Sequence, residues 1–203
     1  YYYCNASNPG ASVNSNTANL GVKRKAAHWT LDALVSGQYE DSSGEAHHAD
    51  VTGNPSFVAG AGAATGSGAV IDASNGYASS GTWNPSLHTR QFTISLWAKW
   101  TGPTVPASWQ GLIAKENAFG AATMMWQLEL DANNNNMALK SGTSTLTSTP
   151  LPAGTWIHLV VVYDGTTARI YRNGISAVNG NFTLGTKTDA PLVLGASAKA
   201  AGA

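Results

Sequence analysis

The chain has 203 residues, of which 43% are hydrophobic and only 11% charged, and its formal net charge at pH 7 is zero. That apolar content supports a sizeable core, and the length allows one large domain or one domain plus a fragment. With no cationic run longer than Lys23-Arg24-Lys25, electrostatic capture of nucleic acid or an anionic membrane is excluded, and no apolar stretch reaches the ~18–20 residues of a membrane-spanning helix.

No helical periodicity of useful length occurs. Strand signals recur instead, separated by clusters of Gly, Asn, Asp and Pro. Residues 1–22 read as the last two strands of one domain, 23–26 as a short linker, and 27–203 as a larger β-sandwich. Neither unit reads as complete. The run AHWTLD (27–32) is an apolar start expected to form the first strand of the larger unit, and the small-residue stretch AGAGAATGSG (59–68) is expected to be a loop.

FTISLWAKW (92–100) alternates, with Phe92, Ile94, Leu96, Ala98 and Trp100 on one face and Thr93, Ser95, Trp97 and Lys99 on the other. MMWQLELD (124–131), WIHLVVVY (156–163), ARIYR (168–172) and 191–194 are further strands. Asp164-Gly165 and Asn173-Gly174 supply the positive φ that tight hairpins need, and Asn133 to Asn136 cap another hairpin. Many short antiparallel strands joined by such turns predict an all-β sandwich or jelly roll. Low charge, abundant Asn and Thr and a single cysteine predict an extracellular or cell-surface protein.

Two resemblances sharpen this reading. Tyr2-Tyr3-Cys4, followed by Ser15-Asn16-Thr17-Ala18, resembles the F and G strands of immunoglobulin-like domains in bacterial surface proteins, with Tyr2 at the tyrosine-corner position. Cys4 would then be half of an inter-sheet disulfide whose partner lies outside this chain, or a buried free thiol. The larger part resembles the laminin-G-like, concanavalin-A-like jelly roll, through AHWTLD, DSSGEAHHAD (41–50), FTISLWAKW, GLIAKEN (111–117), GTWIHLVVVYDGTTARIYRNG (154–174) and PLVLGAS (191–197). That family ordinarily closes with a further acidic strand beside its first strand, which does not occur here. The fold serves lectins, adhesins, enzyme appendages and glucanases alike, so it implies architecture more than activity.

Several chemistries follow for testing. The glucanases of this fold carry three carboxylates alternating along one strand. Glu129-Leu130-Asp131 offers two and lacks the general acid, so no catalytic residue is assigned. His47 and His48 are adjacent and point to opposite faces of any strand, while His158, set between apolar neighbours, is expected to be a hydrogen-bonded core residue. The resemblance implies a structural Ca²⁺ at loop oxygens: Asp32 and Asp41 match its positions, with Glu45 a third candidate. Asp41 and Ser42 are equally turn formers.

Among the seven tryptophans, Trp29, Trp156 and one of Trp97 and Trp100 are expected in the core. Trp83 and Trp109 lie in polar, loop-like contexts and are the candidate ligand-binding residues. Asn5-Ala6-Ser7 and Asn181-Phe182-Thr183 fit the glycosylation pattern. The expectation is a non-catalytic extracellular module that binds glycans or extracellular matrix. The first alternative is a structural subunit that self-associates head to tail by strand complementation; the more distant one is a glycan-targeting appendage of a glycoside hydrolase.

Overall fold

The computed structural model describes residues 5–8, 11–14, 24–62, 66–71, 76–87, 90–103, 109–132 and 134–196. Every regular element among them is a β-strand. Strands β1 (Asn5–Asn8) and β2 (Ala11–Asn14) form an antiparallel hairpin that pairs with no other strand among the described residues. Cys4 and the linker residue Lys23 lie outside the described residues. The hairpin agrees with two consecutive strands at this end of the chain, and its placement in an immunoglobulin-like unit stays an expectation.

The rest is an antiparallel sandwich of unequal layers. The small layer has the order β15-β14-β13-β8, built from β8 (Phe92–Lys99), β13 (Trp156–Tyr163), β14 (Thr167–Arg172) and β15 (Ile175–Asn181). Its turns are the ones the sequence announced. Gly165 between β13 and β14 has φ 107°, and Asn173-Gly174 between β14 and β15 has φ 49° and 80°, the left-handed pair of a tight hairpin. Alternation along β13 buries Ile157, Leu159, Val161 and Tyr163 and leaves Trp156, His158, Val160 and Val162 half-buried on the outer face.

The large layer has the order β12-β11-β10-β9-β16-β7-β4-β3. Its strands are β3 (Gln38–Tyr39), β4 (Ala49–Thr52), β7 (Tyr77–Ser79), β9 (Gln110–Glu116), β10 (Met124–Leu130), β11 (Asn136–Lys140), β12 (Thr145–Pro150) and β16 (Leu192–Leu194). Between the layers lies one core in which Phe92, Trp126, Leu128, Leu159, Val161 and Ile170 take part. The Phe92 and Trp126 rings stack at 5.2 Å, tying β8 to β10.

One side of the sandwich is closed. Arg172 Nη1 donates to Thr149 Oγ1 at 2.6 Å, and Gly180 approaches Leu146 so closely that a Cβ would come within 2.9 Å of it. The other side is open. Among the described residues β8 ends the small layer, while the large layer continues past it through β16, β7, β4 and β3.

Two expectations about strands need correction. Residues 27–32 form no regular strand; they make one isolated bridge, Trp29 to Asp41, and Leu31 at φ 60° breaks the extended run. The 59–68 stretch is not all loop, because its ends belong to a hairpin of β5 (Ser56–Ala59) and β6 (Ser67–Val70). Gly68 is in that strand for a packing reason. A Cβ there would lie 2.8 Å from the Trp156 ring, so only glycine lets the hairpin lie against the indole.

Candidate functional site

The open side holds a cleft of about 2220 Å³ that runs around the free edge of β8, between that strand, residues 24–32, the β5–β6 hairpin and the start of β9. All seven tryptophans of the chain line it. Aromatic side chains carry a large apolar face and a specific geometry, so their convergence defines what the cleft can hold.

Five of the seven are tied down. Trp126 forms the floor at 1% exposure. Trp29 Nε1 donates to the His47 carbonyl at 2.8 Å, and Trp100 Nε1 donates to Gln110 Oε1 at 2.9 Å. Trp156 packs under Gly68. Trp83, one of the two candidate ligand residues, is half-buried: its Nε1 donates to Ser80 Oγ at 3.1 Å and its ring stacks on His47 at 4.0 Å with an interplanar angle of 4°. One face of that indole is therefore already covered.

The remaining two are open. Trp109 is 51% exposed and Trp97 47% exposed. Lys140 Nζ lies 3.6 Å from the centre of the Trp109 ring, a cation–π contact that occupies one ring face and leaves the other free. The ammonium is itself fixed, because Glu129 Oε1 accepts it at 2.7 Å and Gln127 Nε2 donates to Glu129 Oε2 at 3.0 Å. Burial raises the Glu129 pKa, and the Lys140 partnership opposes that rise.

The two carboxylates that invited a hydrolytic reading face elsewhere. Glu129 lies on the opposite face of β10 from Trp126 and Leu130, which line the cleft. Asp131 Oδ1 accepts the Asn134 backbone N–H at 2.7 Å and so shapes the β10–β11 turn.

The proposed calcium ligands are each committed to other partners. Asp41 accepts four hydrogen bonds, from the His28, Ser43 and His47 backbone N–H groups and the Ser43 hydroxyl, at 2.7 to 3.0 Å. Burial pushes its pKa up, but the Ser43, His28 and His47 hydrogen bonds outweigh that and bring it down to about 2. Asp32 Oδ1 accepts the Ser67 N–H at 2.8 Å, and Glu45 pairs with Arg24. Among the described residues no three His, Cys, Asp or Glu side chains converge on one point.

His158 corrects another expectation. It is hydrogen-bonded, Nε2 to Ser95 Oγ at 2.8 Å, yet it lies on the outer face of the small sheet rather than in the core. There its ring meets Trp97 at 5.1 Å. Trp97 is thus the outward member of the Trp97/Trp100 pair, and Trp156 shares the outer face under its hairpin. The alternation of FTISLWAKW carried that signal.

A family model described as the concanavalin A-like lectin/glucanases superfamily matches residues 72–203. No curated protein matches the sequence. Among solved structures, the chain is similar to domain 4 of AbnA, a GH43 extracellular arabinanase from Geobacillus stearothermophilus solved in complex with arabinotriose. The TM-score is 0.59 at 21% identity, over 86% of this chain and 84% of that one. It is also similar to a mutant Trypanosoma rangeli sialidase displaying trans-sialidase activity, with a TM-score of 0.58 at 14% identity, over 85% of this chain and 27% of that one. At these identities the likeness is one of fold.

Proposed function

The chain belongs to the concanavalin A-like lectin/glucanase superfamily, and from that premise we propose that it is a non-catalytic glycan-binding module of an extracellular protein. The observation that carries the reading is the convergence of all seven tryptophans on one cleft. A pyranose or furanose ring presents C–H bonds on its face and hydroxyls around its rim, and a cleft of indoles edged by polar groups matches both. Trp109 is the first contact, through the ring face that Lys140 leaves free. Trp83 supports it from the half-buried wall. The similar arabinanase domain was solved with arabinotriose and belongs to an extracellular enzyme, in keeping with an oligosaccharide ligand and that location. Non-catalytic action is supported by the commitments of Glu129 to Lys140 and of Asp131 to the Asn134 turn, and by the pairing of two carboxylates that do line the cleft, Asp32 with the Ser67 N–H and Glu45 with Arg24.

Affinity electrophoresis through gels containing different polysaccharides, with and without calcium, tests this. Retardation by at least one glycan is expected, weakened by Trp109→Ala at an unchanged melting midpoint. If no glycan in a broad panel retards the chain, or Trp109→Ala migrates like the parent on the glycan that does, the reading fails.

A second reading is favoured by one feature of β8. Among the described residues it is the unpaired edge of the small sheet, and its inward residues Ile94 and Leu96 are only half-buried beside the cleft. An extended strand from another subunit laid along β8 would satisfy its backbone groups and cover both side chains. Light scattering with negative-stain microscopy separates the two readings. Regular assemblies that persist on dilution favour strand complementation, and a stable monomer removes it.

A further inference from the structure

We propose that the outer face of the small sheet, centred on Trp97, is a second saccharide site and that it takes an acidic, uronate-bearing chain. The inference rests on the glycan reading for the class of its ligand; the site lies where the cleft passes onto the outer face of the sheet, and its place and charge preference rest on Trp97, His158, Lys99 and Arg169 rather than on Trp109 and Trp83.

The face is built by strict alternation. Ser95, Trp97 and Lys99 follow one another outward on β8, spaced by about 6.6 Å because each strand residue rises about 3.3 Å. Trp97 stands directly across from His158, and Lys99 across from Trp156. The indole is therefore bordered by a hydroxyl and an ammonium along its own strand and by an imidazole on the next. The imidazole is held in place, with Nε2 on Ser95 Oγ at 2.8 Å and its backbone N–H donated to Asn173 Oδ1 at 2.9 Å. Beyond Lys99 the β5–β6 hairpin rises against Trp156, and Val58 on it lines the same cleft, so the platform has a wall at one end.

The charge is one-sided. FTISLWAK, WIHLVVVY, TARIYR and ISAVNGN, the four strands of this sheet, contain no aspartate or glutamate. They carry Lys99, Arg169 and Arg172. Arg172 is used on Thr149, whereas Lys99 and Arg169 make no ion pair among the described residues. Asp164, in the turn that ends β13, is turned onto Thr166 and Thr167, to which all the hydrogen bonds of its carboxylate go. Arg169 stands across from Val162, two outward rows beyond the His158 row, so the two free cations flank the aromatic centre from opposite sides. In a chain of zero net charge, an aromatic platform between two unpaired cations selects a ligand that has both a stacking face and carboxylates. A neutral sugar would leave the cations unused, and a simple anion would leave the indole unused.

Affinity electrophoresis of the whole chain against polygalacturonate, a neutral galactan and dextran sulfate gives the test, with Trp97→Ala, Trp97→Phe, Lys99→Gln and Trp109→Ala as variants. Trp97 is half exposed, so its variants should melt with the parent. Expected are stronger retardation by polygalacturonate than by the neutral polymer, a loss of that difference in Trp97→Ala, its retention in Trp97→Phe, and a several-fold weakening in Lys99→Gln and at high salt. Equal retardation by the two polymers overturns the proposal. So does Trp97→Ala behaving like the parent on polygalacturonate, or retardation by dextran sulfate alone. If Trp109→Ala abolishes retardation by the neutral polymer while Trp97→Ala changes nothing, the glycan reading stands and this site fails; if no polymer retards the chain, both fail.

Discussion

Strands β10 and β13 lie in opposite layers of the same sandwich and obey different rules. β13 alternates between buried and half-buried positions along its whole length, the pattern of a strand with a core on one side and a partly open surface on the other. β10 is buried at every one of its seven positions. A strand covered on both faces cannot send a charge to solvent, so Glu129 on β10 has to be paired inside, and Lys140 and Gln127 pair it. The small sheet has no such constraint. Its outer face presents Trp97, His158 and Lys99 at the surface. The large sheet spends its polar residues on itself, while the small sheet offers them outward.

The most damaging way to break that comparison is to remove one partner from the covered side. Lys140→Met should leave Glu129 buried without its cation and cost about 3–5 kcal/mol, the usual penalty for a broken buried pair. Denaturant unfolding measures it. The same variant should alter Trp109 fluorescence, because the ammonium over the indole is gone. A cost below about 1 kcal/mol would mean that the pair is solvated.

Truncations of equal chemistry should then separate the two strands. Leu128 on β10 is fully buried, and Leu128→Ala should cost about 2–5 kcal/mol by lost burial and a residual cavity. Val160 on the outer face of β13 is half-buried, and Val160→Ala should cost less than about 1 kcal/mol, since little surface leaves water there to begin with. Equal costs would show that the outer face is covered after all. At the edge of that face, Gly68→Val should push the β5–β6 hairpin off Trp156 and cost about 1–3 kcal/mol, with a rise in Trp156 exposure to acrylamide quenching.

The contrast also explains what could be read from residues alone. β8, β13 and β14 were legible because alternation and Asp-Gly or Asn-Gly turns are local signals, and a half-open sheet leaves both intact. β3, β4 and β7 are two to four residues long, too short for a period to show. Residues 27–32 read as a strand because they make an apolar start after the linker, but the positive φ of Leu31 is a tertiary outcome with no local marker. The exposure of Trp109 is legible from its polar surroundings. The half-burial of Trp83 has no local marker, because the ring that covers it belongs to His47, brought there from a distant part of the chain. The cleft itself could not be seen, since it exists only where the large sheet outruns the edge of the small one.

The mildest expected effect concerns the loop that edges the cleft, and its sign follows from the hydrogen bonds on Asp41. All four partners donate to its carboxylate, so the folded chain favours the ionised form and the pKa falls from 3.8 to about 2. A depressed carboxyl contributes stability above its unfolded pKa, and that contribution disappears as the pH drops through the folded value. Between about pH 4 and pH 2 the unfolded chain therefore binds the extra proton first, and the turn holding His28, Ser43 and His47 should loosen. Trp29 and Trp83 both lean on His47, so their fluorescence should change in that window before the sandwich melts. Asp41→Asn tests the cause. It should remove the transition in this window while the Asp164 turn, held by Thr166 and Thr167, keeps its own acid response. If Asp41→Asn titrates like the parent, the coupling of this carboxylate to the two indoles is wrong, and the acid sensitivity of the cleft lies elsewhere.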